Sequence, residues 1–255
     1  MSNGRRDFPV SLLVLGGTSE IALATVRALA PKGLEQVVLA GRSPERLEAA
    51  EAGLADLGLQ NIAIEKFDAT ETSAHAAQLR AMRDNHGVFD AVLLAFGVLG
   101  DPFTLEEQPD VAADLITANF SGAVSSGLAS AQLLAENGGG TVAIISSITA
   151  VRPRAGNLVY GSAKAGLDAF ARTLHDAVAG TGVRVMTIRP GWVDTVMTDG
   201  LEPAPFATTA EAVAADIVTG FEKGSAVVWS PRVLGVVGPI LQALPAPLWR
   251  RISAR

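Results

Sequence analysis

Short continuous apolar runs alternate along the chain with longer stretches in which apolar residues recur at helical spacing. VSLLVLGG (Val10–Gly17), QVVLAG (Gln36–Gly41), NIAIEKFD (Asn61–Asp68) and DAVLLAFG (Asp90–Gly97) show the first pattern. GTVAIISS (Gly140–Ser147), VRVMTIRP (Val183–Pro190) and AVVWSP (Ala226–Pro231) continue it. Runs without a polar alternate are strands covered on both faces. Between them the spacing predicts helices over Ile21–Ala30 and Pro44–Leu57, and a long Ala-rich one around Val111–Glu136. Strand–helix alternation of this kind predicts an α/β fold, a doubly wound parallel sheet of about seven strands with helices on both faces. No linker, internal repeat or low-complexity block interrupts the series, so residues 1–255 are expected to form one domain.

Composition narrows the function. Of the 255 residues 49% are hydrophobic, enough for a large core, and the net charge of −6 gives no support to a nucleic-acid partner. Cysteine is absent, which removes disulfides, thiolate metal sites and a cysteine nucleophile. His75, His86 and His175 have no metal-ligand spacing, so no metal is expected. The opening MSNGRRDFPV lacks the apolar core of a signal peptide, and a cytoplasmic location is expected.

In a doubly wound sheet, ligands sit beyond the carboxyl ends of the strands. The first strand runs into GGTSEI, where Gly16 and Gly17 provide a tight turn, Thr18 and Ser19 hydroxyl donors, and Glu20 and Ile21 open a helix. A helix N-terminus after such a turn suits a pyrophosphate. Arg42 follows the second strand, where an arginine accommodates a ribose 2′-phosphate and an acid would hold a 2′-hydroxyl. Asp68 ends the third strand, placed for an adenine edge or for capping a helix; Ala95 and Gly97 end the fourth.

The chain's only tyrosine, Tyr160, stands four residues before Lys164, one of four lysines, so the two share a helix face. Ser147 ends the fifth strand, Asn119 lies inside the long helical stretch, and Pro190-Gly191-Trp192-Val193-Asp194-Thr195 leaves the sixth strand. In this order and spacing the set resembles the signature of short-chain dehydrogenases/reductases, over essentially the whole chain. The resemblance implies a Rossmann-like fold and an NAD(H)- or NADP(H)-dependent oxidoreductase. It assigns catalysis to Ser147, Tyr160, Lys164 and Asn119. Lys164 is expected to lower the phenol's pKa and hold the nicotinamide ribose, Ser147 to bind the carbonyl oxygen, and Asn119 to anchor a water in a proton relay. Cofactor contacts are expected from Gly16, Thr18, Ser19, Glu20, Ile21, Arg42, Asp68, Ala95, Gly97, Tyr160, Lys164, Pro190, Gly191, Val193 and Thr195. Two positions depart from the family's Gly-x-x-x-Gly-x-Gly turn: Glu20 and Ala22 replace its second and third glycines.

LAFG (Leu94–Gly97) and GGTSEIA also depart from the common family pattern. With AFGVLGD, VRPRAGNLVYGSAKAGLDAF and VVWSP they resemble the subgroup that reduces decaprenylphosphoryl 2-keto-ribose in arabinan synthesis for the cell wall. That likeness implies a lipid-linked sugar substrate and a flavoenzyme oxidase partner that supplies the ketone. Arg152 and Arg154, between Ser147 and Tyr160, are then candidates for the lipid phosphodiester, with Trp192 beside the substrate. Residues 192–210 are expected to form a mobile substrate lid. From Ser225 on there is no acidic residue but four arginines, Arg232, Arg250, Arg251 and Arg255, around the uncharged run Val233–Trp249. Two readings fit this tail: peripheral contact with an anionic membrane, or packing on the protein or within a homodimer or homotetramer. Alternative functions are a reductase of a ketoacyl, steroid or xenobiotic ketone, and a non-catalytic dinucleotide sensor.

Overall fold

The computed structural model describes residues 7–253. Arg255 therefore lies outside the described residues, as does most of the N-terminal segment. Strands β1 (Ser11–Leu15), β2 (Gln36–Gly41), β3 (Asn61–Lys66), β4 (Ala91–Leu94), β5 (Gly140–Ile145) and β6 (Val183–Pro190) are followed by the short β7 (Val193–Asp194) and β8 (Thr208–Thr209), then β9 (Val227–Ser230). Seven of them form one sheet in the order β3-β2-β1-β4-β5-β6-β9, and every pairing is parallel. The continuous apolar runs are the reason: β1 is buried along its full length, between two layers of helices.

The helices are α1 (Glu20–Leu29), α2 (Pro44–Ala52), α3 (His75–His86), α4 (Pro102–Glu107) and α5 (Pro109–Ile116). After them come α6 (Gly122–Glu136), α7 (Leu158–Ala177), α8 (Ala210–Lys223), α9 (Leu234–Ala243) and α10 (Ala246–Ile252). One face of the sheet packs Leu12, Val14 and Leu39 against α1, α2 and α8 through Val26, Leu47 and Ile217. The other packs Leu13, Val38 and Val142 against α3, α6 and α7 through Leu79, Leu133 and Leu167. Helix starts are capped as their sequences suggest: Ser19 accepts the Ala22 amide, Ser43 that of Arg46 and Thr209 that of Ala212.

The expected long helix over 111–136 is not continuous. α5 ends at Ile116, a wider π-type turn runs over Thr117–Ser121, and α6 resumes at Gly122. Gly122 lies so close to the chain after β3 that a Cβ there would stand 2.0 Å from the Ala69 carbonyl oxygen.

The tail packs on the protein. Gly235 and Gly238 of α9 lie against the Trp229 ring, and Leu234 is buried. The outer side of α9 and α10 still exposes Val236, Ile240, Leu248 and Ile252. Among the described residues no helix is long and apolar enough to cross a membrane.

Candidate active site

The carboxyl edge of the sheet collects the candidate residues. The β1 turn is tight because Gly16 adopts φ 98°, and any Cβ there would meet the Phe96 backbone nitrogen at 2.5 Å. The amides of Gly16 and Gly17 are both spent on the Ala40 carbonyl, at 2.8 and 2.9 Å. What remains toward the cleft is the first turn of α1, whose leading amides have no partner within the helix. Glu20, at the family's second glycine position, directs its carboxylate across the cleft, where Oε2 accepts the Val196 amide at 2.7 Å.

Arg42 is exposed beyond β2. Asp68 does not cap a helix: its Oδ1 accepts the Thr70 amide at 2.9 Å and the Thr70 hydroxyl at 2.8 Å, fixing the turn after β3. The Thr70 amide bond chiefly holds its carboxyl below the usual range; partial burial opposes this, and Arg42 adds to the lowering. The two residues are thus electrostatic neighbours at the ends of adjacent strands.

Ser147 follows β5, and its Oγ accepts the Thr149 amide at 3.2 Å and hydroxyl at 3.0 Å. Tyr160 sits in the first turn of α7, near enough to Ser147 for that hydroxyl to favour the phenolate. One turn on, Lys164 is buried; its Nζ donates to the Ile145 carbonyl at 2.9 Å and lies 5.9 Å from the Tyr160 ring centre. Gly97 lies beside the same group, since a Cβ on it would come within 3.7 Å of Lys164 Nζ and 3.3 Å of Asn119 Oδ1. The structure therefore brings Ser147, Tyr160, Lys164, Gly97 and Asn119 together.

Asn119 is buried inside the π-type turn. Both ends of its amide grip one residue: Oδ1 accepts the Val98 N–H at 2.7 Å and Nδ2 donates to the Val98 carbonyl at 2.6 Å. A poor helix former sits here because its side chain substitutes for backbone pairing in the loop after β4. Its side chain thus fastens that loop beside Lys164.

One expectation about electrostatics is overturned. Burial pushes the Tyr160 phenol up to about 12, partly opposed by the neighbouring Ser147 hydroxyl, so it does not fall below its ordinary value. Burial also pushes the Lys164 ammonium down to about 8. Each group loses water as its surroundings close, and desolvation disfavours whichever form is charged. At pH 7 both hold their protons.

For Lys164 the folded value lies below the ordinary 10.5, so between about pH 8 and 10.5 the unfolded chain binds more protons and stability rises with pH. Relative to a Lys164→Met variant, wild type is expected to gain up to about 3 kcal/mol across that window in chemical denaturation. A pH-independent difference would contradict the burial of the ammonium.

The loop after β6 is held by the Gly191 amide on the Ser230 carbonyl (2.8 Å) and by the β7–β8 pairing. The Thr195 hydroxyl donates to Val193 O at 3.4 Å and its amide to Thr198 Oγ1 at 3.2 Å. Beyond it, Val196, Met197, Leu201 and Phe206 expose apolar side chains, and a cleft of about 460 Å³ opens beside Trp192 and Asp199.

Arg152 goes elsewhere than expected. Its Nη1 donates to the Leu241 and Gln242 carbonyls at 2.8 and 3.2 Å and to that of Leu244, closing the C-terminal end of α9. Its guanidinium lies 4.8 Å from the Trp249 ring centre. Those contacts commit it to the tail instead of to a substrate phosphate. Arg154 remains exposed on the same loop.

The sequence reading missed a buried cluster behind the site. Arg189 Nε and Nη2 donate to the two carboxylate oxygens of Asp168, each at 2.7 Å, and the Ser146 hydroxyl donates to Oδ1 at 3.2 Å. Arg189 also lies 4.7 Å from the Trp229 ring centre. The available signal was an arginine in a run that otherwise reads as a buried strand, where a charge requires a partner.

Comparison with known proteins agrees with this geometry. The short chain dehydrogenase family model matches residues 11–205. An uncharacterized oxidoreductase of Streptomyces coelicolor is 44% identical over 246 residues, 96% of each chain. An uncharacterized oxidoreductase of Mycobacterium tuberculosis is 36% identical over 241 residues, 94% of this chain and 96% of the relative. In fold, a short chain dehydrogenase from Burkholderia cenocepacia in complex with NADP superposes with a TM-score of 0.81 at 20% identity, covering 97% of this chain and 98% of the other. The chain belongs to the short-chain dehydrogenase family of oxidoreductases.

Proposed function

We propose that the protein is an NAD(P)H-dependent ketone reductase with Tyr160 as the proton donor. The observation that carries this reading is the grouping of Ser147, Tyr160 and Lys164 beyond β5, with the buried Lys164 Nζ bonded to the Ile145 carbonyl and 5.9 Å from the Tyr160 ring centre. A dinucleotide fits these residues. Lys164 carries three donors but, among the described residues, makes one hydrogen bond, to Ile145, so two remain for the hydroxyls of a ribose. Gly97 leaves space next to it, and the first turn of α1 favours a diphosphate. Gly16, Thr18, Ser19 and Ile21 would line the diphosphate, Ala95 and Gly97 the ribose, Asp68 the adenine, and Pro190–Thr195 the nicotinamide. Bound NAD(P)H supplies the hydride.

The chain's own residues handle the oxygen. Ser147 donates a hydrogen bond to the substrate carbonyl and polarises it. Tyr160, still protonated at neutral pH, gives its proton to that oxygen as the carbon is reduced. The phenolate left behind is stabilised by the Lys164 ammonium, which stays charged below about pH 8. Segment 192–210, with its exposed apolar residues, acts as the lid that excludes water.

Arg42 supports a preference for the 2′-phosphate of NADPH, since among the described cofactor-facing positions it offers a planar cation at the end of β2. Arg42→Ala is expected to reduce the NADPH-over-NADH preference in kcat/KM by about tenfold or more; an unchanged ratio would remove Arg42 from the site.

The finer reading of the substrate is a polyprenyl-phosphoryl 2-keto-ribose reduced to its arabinose epimer. It is supported by the exposed apolar side of α9 and α10, with Arg250 and Arg251 adjoining, and by Arg152, which ties that tail to the loop after Ser147. Such a surface suits a substrate presented from an anionic membrane, and Arg154 is the remaining cation on the loop for its phosphodiester. The test is NAD(P)H oxidation with the 2-keto lipid generated in situ by a flavoenzyme oxidase, beside ketoacyl and steroid ketones. Turnover confined to the latter would assign a different ketone.

A further inference from the structure

Glu20 places a carboxylate where the family pattern has a glycine, at the first position of α1. That side chain is engaged: Oε2 accepts the amide of Val196, 176 positions away. Glu20 follows β1, whereas Val196 follows β7 on the loop that leaves β6. Between β1 and β6 the sheet carries β4 and β5, so the contact crosses the carboxyl edge from the start of α1 to the loop after β7.

Two further observations give the contact weight. The N-terminus of α1 favours negative charge, and Glu20 already supplies it from within the chain, where a dinucleotide diphosphate would also bind. Residues 196–207, meanwhile, have few fastenings of their own. Val196, Met197, Leu201 and Phe206 are exposed, and Phe206 takes a positive φ of 63°. Thr198 ties the start of the segment back to Val193 and Thr195, and the Glu20 carboxylate holds it to α1.

We propose that Glu20 is a clasp that draws segment 196–207 toward the start of α1 and opposes diphosphate binding until it lets go. This rests on the reading of the cleft as a dinucleotide site. Glu20 is then a positioning residue: it sets how tightly and how fast the cofactor binds, and takes no part in the chemistry.

Two variants separate its charge from its hydrogen bond. Glu20→Gln keeps an acceptor for the Val196 amide and removes the charge; Glu20→Ala removes both. Amide hydrogen exchange in the dinucleotide-free proteins is expected to be similar at Val196 in wild type and E20Q, and about tenfold faster in E20A. Equilibrium titration with NADPH is expected to show roughly fivefold tighter binding by E20Q than by wild type at low salt, the difference narrowing at high salt. Equal Val196 exchange in all three proteins would overturn the clasp. Equal or weaker NADPH binding by both variants would overturn its opposition to the cofactor. Failure of wild type to bind either NADPH or NADH would instead overturn the cofactor reading, and the Val196 exchange rates would still decide the clasp.

Discussion

Replacing Tyr160 with phenylalanine is expected to lower kcat for ketone reduction by about 10²–10⁴-fold while leaving dinucleotide affinity within a factor of two or three. The substitution removes one oxygen and keeps the ring. The Ser147 hydroxyl keeps its Thr149 contacts, so the loop after β5 remains in place. The chain has no second tyrosine to take over as the acid. The raised phenol pKa sets the pH dependence of each direction. A phenol held near 12 keeps its proton at neutral pH, as an acid for reduction must. Alcohol oxidation by the same site needs the phenolate and is expected to accelerate with rising pH, whereas reduction falls as Lys164 loses its charge through about pH 8. Initial rates of both directions between pH 6 and 10 would check the sign.

The largest effect on stability is expected from Asp168. Its carboxylate, with its side chain 6% exposed, forms a two-pronged ion pair with Arg189, 12% exposed, and also accepts from Ser146. Asp168→Ala leaves a desolvated guanidinium facing Trp229 without its counter-charge, a change expected to cost about 3–5 kcal/mol. For a chain of this size that is roughly a 10 °C fall in melting temperature. Combined replacement of Asp168 by leucine and Arg189 by methionine is expected to recover much of the loss, since two apolar side chains leave no charge stranded. The pair also has a bearing on catalysis. Asp168 lies one turn beyond Lys164 on α7, Ser146 adjoins Ser147, and Arg189 adjoins Pro190. The cluster therefore ties the ends of β5 and β6 to the helix that carries Tyr160, and D168A should lose kcat well below its melting temperature. Thermal unfolding of the three variants is the check; a single-variant loss under 1 kcal/mol would mean that the pair is not the tie described.

What could be read in the sequence, and what could not, follows from the range of the interactions. Continuous apolar runs report burial on both faces residue by residue, so β2 and β6 begin and end where the pattern puts them and the other five strands of the seven-stranded sheet differ only at their ends, whereas the two-residue β7 and β8 lie in the segment read as a lid. Ser147, Tyr160 and Lys164 could be read because spacing on a strand end and a helix face is local information. The break at Thr117–Ser121 could not, because a π-type turn shifts the helical register without changing the apolar count. Nor could contacts between distant segments: Glu20 with Val196, or Arg152 with the α9 carbonyls 89 to 92 positions on. A charge's sign is visible in sequence, but its partner depends on which loops meet at the sheet edge. For the same reason the phenol's pKa was misjudged. Tyr160 and Lys164 on one face suggest attraction, but desolvation dominates both groups in the folded chain.

The most direct test of the central claim follows the transferred atom. NADPH and NADH carrying deuterium at the nicotinamide C4 would be mixed with wild type or Tyr160→Phe and a panel of ketones that includes polyprenyl-phosphoryl 2-keto-ribose. The products would then be read by mass spectrometry. Deuterium on the new carbinol carbon with wild type, reduced at least a hundredfold with the variant, is the result expected of a reductase that uses Tyr160 as its acid. Tight dinucleotide binding with no deuterium in any product would contradict it and leave a protein that senses the cofactor without using it.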